Sequence, residues 1–242
     1  MRVVTVPCLS DNFAYLIIDG GRAVVVDPTE AAPIEELLPK ENVALAAIWL
    51  THHHWDHVGG VEALVAKHPG IEVVISKIDA EKLKAETRRC VTRLVEEGDH
   101  VSLANITARV ISNPGHTLGA VSYHIADHPA GSGSVFTGDT LFAAGCGRVF
   151  EGDPAMMYAS LQKLADLPDR TKVYFGHEYT VANLEFAAAA EPENGAVAAW
   201  QQRLSTPSTP STIRDEIAAN PFIRAGSVEE FARRREWKNT FK

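Results

Sequence analysis

Residues 51–57 read Thr51-His52-His53-His54-Trp55-Asp56-His57. This run places four potential metal donors, His52, His54, Asp56 and His57, within six residues. In an extended backbone alternate side chains share a side, so His52 and His54 point the same way and His53 points away. Asp56 and His57 follow where the loop turns into a helix opened by Gly59-Gly60. Three more donors sit downstream: His116 in Pro-Gly-His-Thr, Asp139 in Thr-Gly-Asp-Thr and His177 in Gly-His-Glu-Tyr. Imidazole and carboxylate together suit zinc, iron or manganese. Seven donors are too many for one tetrahedral ion, but they suit two ions about 3.5–4 Å apart with a bridging carboxylate. A lone histidine is ordinarily structural, and His68, His100, His124 and His128 are read so. His53 takes a structural or supporting role.

The elements that must position these donors are legible around them. Residues 44–50, 106–111, 134–137 and 172–175 are apolar, β-rich runs, and each leads into one of the donor loops. Loops beyond strand ends are where sites assemble in layered α/β folds. Upstream, residues 3–6, 13–18 and 23–26 read as strands, with Asp19-Gly20-Gly21 as a hairpin turn. Residues 72–75 and 121–125 read as further strands, and residues 127–133 as a turn. Residues 34–38 suggest a short helix, residues 79–88 a charged surface helix, and Asp153-Pro154 a helix start. After His177 the pattern becomes helical, at residues 180–190, 196–204, 212–219 and 227–237. Residues 205–211 (STPSTPS) link these helices, and Ser227 and Glu230 have capping-box spacing. The expected organisation is a catalytic domain over residues 1–177 and a small helical domain over residues 178–242.

Composition limits the partners. The chain has 242 residues, 45% of them hydrophobic, and a net charge of −8. An acidic chain is a poor general binder of nucleic acid or anionic membrane. Three widely spaced cysteines argue against a disulfide framework and fit a reducing, cytoplasmic setting. No export signal or membrane span is read from the sequence.

At these residues the sequence resembles the metallo-β-lactamase superfamily. Residues 51–57, 114–117, 137–140 and 175–177 match its motifs in order. Within it the chain is similar to the glyoxalase II (hydroxyacylglutathione hydrolase) family, through THHHWDHVGG at 51–60, LFAAGCGRVFEG at 141–152 and YFGHEYTVAN at 174–183. Residues 207–212, Asn220-Pro221-Phe222 and the closing REWKNTFK at 235–242 extend the likeness to nearly the whole chain. The resemblance implies an α/β fold, an αββα metallo-β-lactamase-type sandwich followed by a small α-helical C-terminal domain. It implies one metal on His52, His54 and His116, the other on Asp56, His57 and His177, and Asp139 as the bridge. It also implies hydrolysis of S-D-lactoylglutathione to D-lactate and glutathione, in methylglyoxal detoxification, by a metal-bridging hydroxide held at Asp56 and Asp139. The leaving thiolate is a weak base and needs little acid assistance. Two divalent ions are expected, zinc foremost, with iron or manganese as alternatives. Asp27, in Val-Asp-Pro, either steadies the metal loops or simply forms a turn.

Substrate choice must come from other residues. Glutathione is anionic, and the resemblance implies basic and tyrosyl contacts, for which Arg148, Phe150, Tyr179, Arg235 and Lys238 stand at the matching positions. Arg148 replaces a frequent lysine and keeps the charge. Phe150 replaces a frequent tyrosine and lacks its hydroxyl. Arg233, Arg234, Arg235, Lys238 and Lys242 form a basic cluster in an acidic chain, suited either to an anionic substrate or to a solvated helix end. The other readings are a single-iron persulfide dioxygenase-like protein, a phosphodiesterase or nuclease, a β-lactamase and a non-catalytic metal binder. The complete second donor set, the lack of a large basic surface, the missing export signal and the intact donors argue against each in turn. A monomer acting on a small molecule is expected.

Overall fold

The computed structural model describes residues 1–126 and 133–241. Its contacts divide the chain into two compact units, Met1–Ser112 with Gly119–Ile125, and Asn113–Leu118 with Ala126–Lys242. The turn expected at residues 127–133 falls almost wholly outside the described residues, as do His128 and Lys242.

The first unit is built on a six-stranded sheet of β1 (Arg2–Cys8), β2 (Asn12–Asp19), β3 (Arg22–Val26), β4 (Ala44–Trp49), β5 (Glu72–Ser76) and β6 (Arg93–Val95), in that order. β1, β2 and β3 pair antiparallel, and β3 through β6 pair parallel. Gly20 and Gly21 both take positive φ, 57° and 76°, which closes the β2–β3 hairpin. β2, β3 and β4 are buried along most of their length, as expected of strands covered on both faces. Ile34 and Leu38 of α1 (Ala31–Glu41) join the core with Leu16, Val25, Ile48 and Val73. The metal-loop run continues from β4 into the one-turn α2 (Trp55–Val58), and α3 (Val61–Lys67) follows, adding Val61 and Leu64 to the same core.

Residues 79–88 form two short helices, α4 (Lys77–Ala80) and α5 (Ala85–Arg88), and not the single surface helix that their charge suggests. Ser76 caps α4 by accepting from Asp79 N, and Asp79 is fully buried. A charge pattern does not show that one acid of the run faces inward. β6 was not expected from sequence either. Nor was β7 (His100–Leu103), which pairs antiparallel with β8 (Ile106–Ser112); β8 pairs in turn with β9 (Val121–Ala126).

In the second unit β10 (Gly133–Gly138) runs into Asp139. A two-residue hairpin, β11 (Leu141–Phe142) with β12 (Gly145–Cys146), follows. The capped α6 (Pro154–Ala165) leads to β13 (Lys172–Phe175), which is parallel to β10. Then come α7 (Thr180–Ala190), α8 (Gly195–Arg203), β14 (Ser211–Thr212), α9 (Ile213–Ala219) and α10 (Val228–Thr240). The expected linker is anchored. Ser208 donates to Glu178 through its amide and hydroxyl, and residues 211–212 pair with β13. Ser227 caps α10 as expected, but the Glu230 carboxylate turns to Arg233 and Arg234, so the capping box is only half made. Phe222 sits at the centre of this helical part, stacked on Phe186 at 5.6 Å and edge-on to Phe231 at 5.9 Å.

Glu216 of α9 is fully buried. It accepts from Ala144 N, Ser211 Oγ and Asn220 Nδ2. Burial outweighs these bonds and pushes its carboxyl up to about 8 from an ordinary 4.5. Between those values the folded chain holds a proton that the unfolded chain releases. The stabilisation is therefore full below about pH 4.5 and is lost as pH rises through about 8. Glu216→Gln keeps the shape and removes the titration. In urea unfolding, the variant is expected to gain on the wild type by up to about 1.4 kcal/mol per pH unit across that window. A difference that does not vary with pH would refute it.

Candidate metal centre and substrate cleft

In the first unit, the donors hang on Asp27. It follows β3 with φ 49°, a left-handed conformation unusual for a residue with a side chain. Its Oδ1 accepts from Thr51 N at 2.7 Å, and its Oδ2 accepts from Thr51 Oγ1 at 2.6 Å and His57 Nδ1 at 3.0 Å. These bonds tie Asp27 to the donor loop, while its carbonyl accepts from Thr29 N at 2.8 Å, so the residue forms a turn as well. The side-chain bonds also set tautomers. A carboxylate only accepts, so His57 carries its proton on Nδ1 and presents a lone pair at Nε2. Thr51 Oγ1 donates to Asp27 and therefore accepts from His52 Nδ1 at 3.0 Å, which gives His52 a lone pair at Nε2 as well. That atom lies 3.1 Å from His54 Nδ1. Asp56 Oδ2 accepts from Asn12 Nδ2 at 3.1 Å and lies 3.8 Å from His57 Nε2. His53 points away, as expected, and bonds to Asp79 through both its amide and Nδ1.

In the second unit, His116 Nδ1 donates to Arg148 O at 2.8 Å, which again turns Nε2 into the acceptor atom. His116 Nε2 and His177 Nε2 lie 3.5 Å and 3.3 Å from the same oxygen, Asp139 Oδ2. One carboxylate oxygen between two imidazoles is the arrangement a shared ligand requires. Gly147 makes room for it, since a Cβ there would stand 2.0 Å from Asp139 O and 3.0 Å from His116 Nδ1. Both donor sets therefore pass the same test: buried or partly buried nitrogen and oxygen donors, with three of the imidazoles oriented from behind. That chemistry fits divalent cations.

A cleft of about 460 Å³ in the second unit runs from His116 and Asp139 to Arg235 and Lys238. Phe142, Phe150 and Tyr179 line it between these ends, and Arg148 stands on its wall. Tyr179 stacks on His177 at 4.9 Å, and Phe150 lies 5.2 Å from His116 while remaining largely exposed. Arg235 is buried, donates from Nη1 to Cys146 O at 2.8 Å and lies over the Phe222 ring at 4.9 Å. Lys238 Nζ donates to Ala182 O at 2.6 Å. Burial, reinforced by neighbouring Arg235, pushes its ammonium down to about 8. Burial likewise raises the Cys146 thiol, which keeps it protonated and unreactive.

The basic cluster divides. Arg235 and Lys238 face the cleft. Arg233 pairs with Glu230, and Arg234 pairs with Glu230 and with Glu191 at 2.7 Å, so neither lines it. Sequence reasoning missed Phe142, Cys146 and Asn183 as lining residues. It also missed Asn12 and Thr51 behind the donors, because their partners lie far along the chain.

The model described as the metallo-beta-lactamase superfamily matches residues 10–177, and that described as the hydroxyacylglutathione hydrolase C-terminus matches residues 178–241. A relative from Cupriavidus metallidurans named hydroxyacylglutathione hydrolase is 43% identical, covering 100% of both chains. One of the same name from Cereibacter sphaeroides is 46% identical, over 94% of this chain and 89% of its own. Among solved structures, ETHE1 from Myxococcus xanthus superposes with a TM-score of 0.73 at 27% identity, covering 98% of this chain and 90% of its own. A di-iron-bound form of TTHA1623 superposes with a TM-score of 0.64 at 28% identity, over 92% of this chain and 100% of its own. The fold is that of the metallo-β-lactamases, an α/β architecture followed by a helical C-terminal region. More narrowly, the chain belongs to the hydroxyacylglutathione hydrolase family, and its histidines and aspartates provide a divalent-metal site.

Metal analysis is expected to separate donors from orienting groups. His52→Ala and Asp139→Ala should lose metal and activity together. Asp27→Asn, which removes an acceptor behind His57, should weaken metal binding by about 10- to 100-fold in chelator competition. Wild-type metal affinity in Asp27→Asn would refute the orienting role.

Proposed function

We propose that this protein hydrolyses S-D-lactoylglutathione to D-lactate and glutathione, as a binuclear metal-dependent thioester hydrolase of methylglyoxal detoxification. The observation that carries this reading is full-length similarity to relatives named hydroxyacylglutathione hydrolase, C-terminal part included. The fold alone would not select it, because the solved neighbours include a B3 metallo-β-lactamase at a TM-score of 0.69. In this reading residues 1–177 are the metal-binding catalytic domain and residues 178–242 the substrate-binding domain. His52, His54 and His116 would hold one cation, Asp56, His57 and His177 would hold the other, and Asp139 would serve both. Zinc is the proposed ion, and iron or manganese suits the same donors.

When bound, such cations act as Lewis acids and bring the pKa of water close to neutrality. The chain's own groups do the rest. Asp56 and Asp139 orient the attacking water by accepting its hydrogen bonds. Water oxygen adds to the thioester carbonyl carbon as one of its protons passes to solvent, the carbon–sulfur bond breaks, the electron pair leaves with sulfur as a thiolate, and the carboxylic acid product gives up the second proton at neutral pH. A thiolate is a weak base and a good leaving group, so its departure needs little proton donation. Arg235 and Lys238 take a substrate carboxylate at the far end, with Arg148, Phe150 and Tyr179 along the way. The pairing of Arg233 and Arg234 with acids supports this division of labour. The protein is proposed to act as a cytoplasmic monomer on a small molecule, without nucleic acid or membrane. No helix among the described residues is long and apolar enough to cross a membrane.

The direct test is loss of thioester absorbance with S-D-lactoylglutathione, run beside nitrocefin and bis(nitrophenyl) phosphate. Turnover of either control in preference to the thioester would overturn the proposal. Arg235→Ala is expected to raise KM by about 10-fold or more, the size of a lost charge-assisted bond, with metal content intact. Lys238 is charged below about pH 8 and neutral above it. KM should therefore rise as pH passes that value, and the rise should vanish in Lys238→Met. A rise of the same size in the variant would assign it to another group.

A further inference from the structure

The substrate cleft does not end at Arg235. A second compartment of about 490 Å³ shares Arg148, Phe150 and Arg235 with it and is closed by Gly152, Pro154, Ala232, Glu236 and Asn239. Ala232, Arg235, Glu236 and Asn239 recur at helical spacing, so they form one face of α10 turned toward the loop carrying Arg148 and Phe150. Arg148, Glu236 and Asn239 are exposed, and among the described residues no hydrogen bond or ion pair engages their side chains. This contrasts with Arg233 and Arg234 on the same helix, which are both paired. A cation, an anion and an amide therefore border one compartment without satisfying each other.

We infer that this compartment is a subsite for a zwitterionic α-amino-acid group, and that it receives the γ-glutamyl head of the glutathione thioester. The assignment rests on the reading of the protein as a glutathione thioester hydrolase. A plain anion there would meet Glu236, and a plain cation would meet Arg148 and Arg235. Only a group carrying both charges close together meets a partner for each. Arg148 takes the α-carboxylate through its planar fork, Glu236 takes the α-ammonium, and Asn239 can serve either. The glycyl end of glutathione has a carboxylate and no free amine, and the all-cationic pair Arg235 and Lys238 in the first compartment suits it. Phe150 stands in both linings, a wall between the two ends of the tripeptide. Phenylalanine is adequate there, since a wall between two ionic subsites needs apolar surface and no hydroxyl.

The experiment pairs two substrate analogues with two variants. In one analogue a glutaryl group replaces γ-glutamyl and removes the ammonium; in the other a γ-aminobutyryl group removes the carboxylate. Each should raise the wild-type KM by about 3- to 10-fold, the range for a partly exposed charged pair. Glu236→Gln should raise KM for the full substrate and erase the penalty on the glutaryl analogue alone. Arg148→Met should erase the penalty on the γ-aminobutyryl analogue alone. Calorimetric binding of S-methylglutathione and its glutaryl counterpart gives the same comparison without turnover. A variant that loses the same factor on all compounds, or a wild type indifferent to both changes, would overturn the subsite. If S-D-lactoylglutathione is not hydrolysed while S-methylglutathione still binds with the predicted pattern, the thioesterase reading fails and the subsite stands.

Discussion

One carboxylate, Asp27, organises the first donor set. It stands on the loop after β3 yet accepts three hydrogen bonds from residues 24 and 30 positions further on. Because a carboxylate only accepts, each bond fixes where a proton lies. Thr51 must donate, His57 must be protonated at Nδ1, and His52 must therefore donate to Thr51. Two imidazoles are thereby fixed with an unprotonated Nε2, the form that would ligate a cation. The left-handed backbone at Asp27 is a local cost of that arrangement, offset by the bonds its side chain makes. The second donor set is oriented by backbone instead, with Arg148 O holding His116. That bond makes one loop residue serve twice: the carbonyl of Arg148 orients a donor while its side chain faces the cleft.

The same division between orienting and binding groups runs through the helical part. Phe186, Phe222 and Phe231 form an aromatic cluster, and Arg235 lies on its edge with one nitrogen spent on Cys146 O. A guanidinium held this way has little conformational freedom left to lose when an anion binds. Lys238 is held on the same cluster, over Phe186, and its depressed pKa is the electrostatic consequence of two cations sharing a poorly solvated wall. In the proposed function, anion attraction and easy loss of one charge are two results of the same packing.

How much of this the sequence disclosed follows from how local each signal is. The run at residues 51–57 is self-contained, and donor types, alternation and the turn into α2 could all be read within it. The capped starts of α6 and α10 were equally visible, because a cap is a relation between residues three apart. What escaped notice depends on distant partners. Glu230, three and four positions before Arg233 and Arg234, is a local partner, but nothing near Arg234 announces Glu191, 43 positions away, so a count of basic residues overstates the free charge at the C-terminus. Nothing in the charged stretch 79–88 announces that Asp79 turns inward to His53, so its two short helices were read as one. Asp27 lies between these cases: its type and place after a strand suggest the turn, and only contacts across the sequence show the bonds to Thr51 and His57.

A net charge of −8 would ordinarily repel an anionic peptide. The paired arginines show how the chain avoids that without becoming basic. Arg224, Arg233 and Arg234 are each matched to an acid nearby, so their fields largely cancel beyond a Debye length. Arg148 and Arg235 are not matched in this way, and both line the cleft. In the proposed function the attraction is thus concentrated in the cleft rather than spread over the surface. Glu236 refines it, because an acid at the edge of a cationic cleft weakens the pull on every simple anion and leaves undiminished the pull on a ligand that brings its own ammonium.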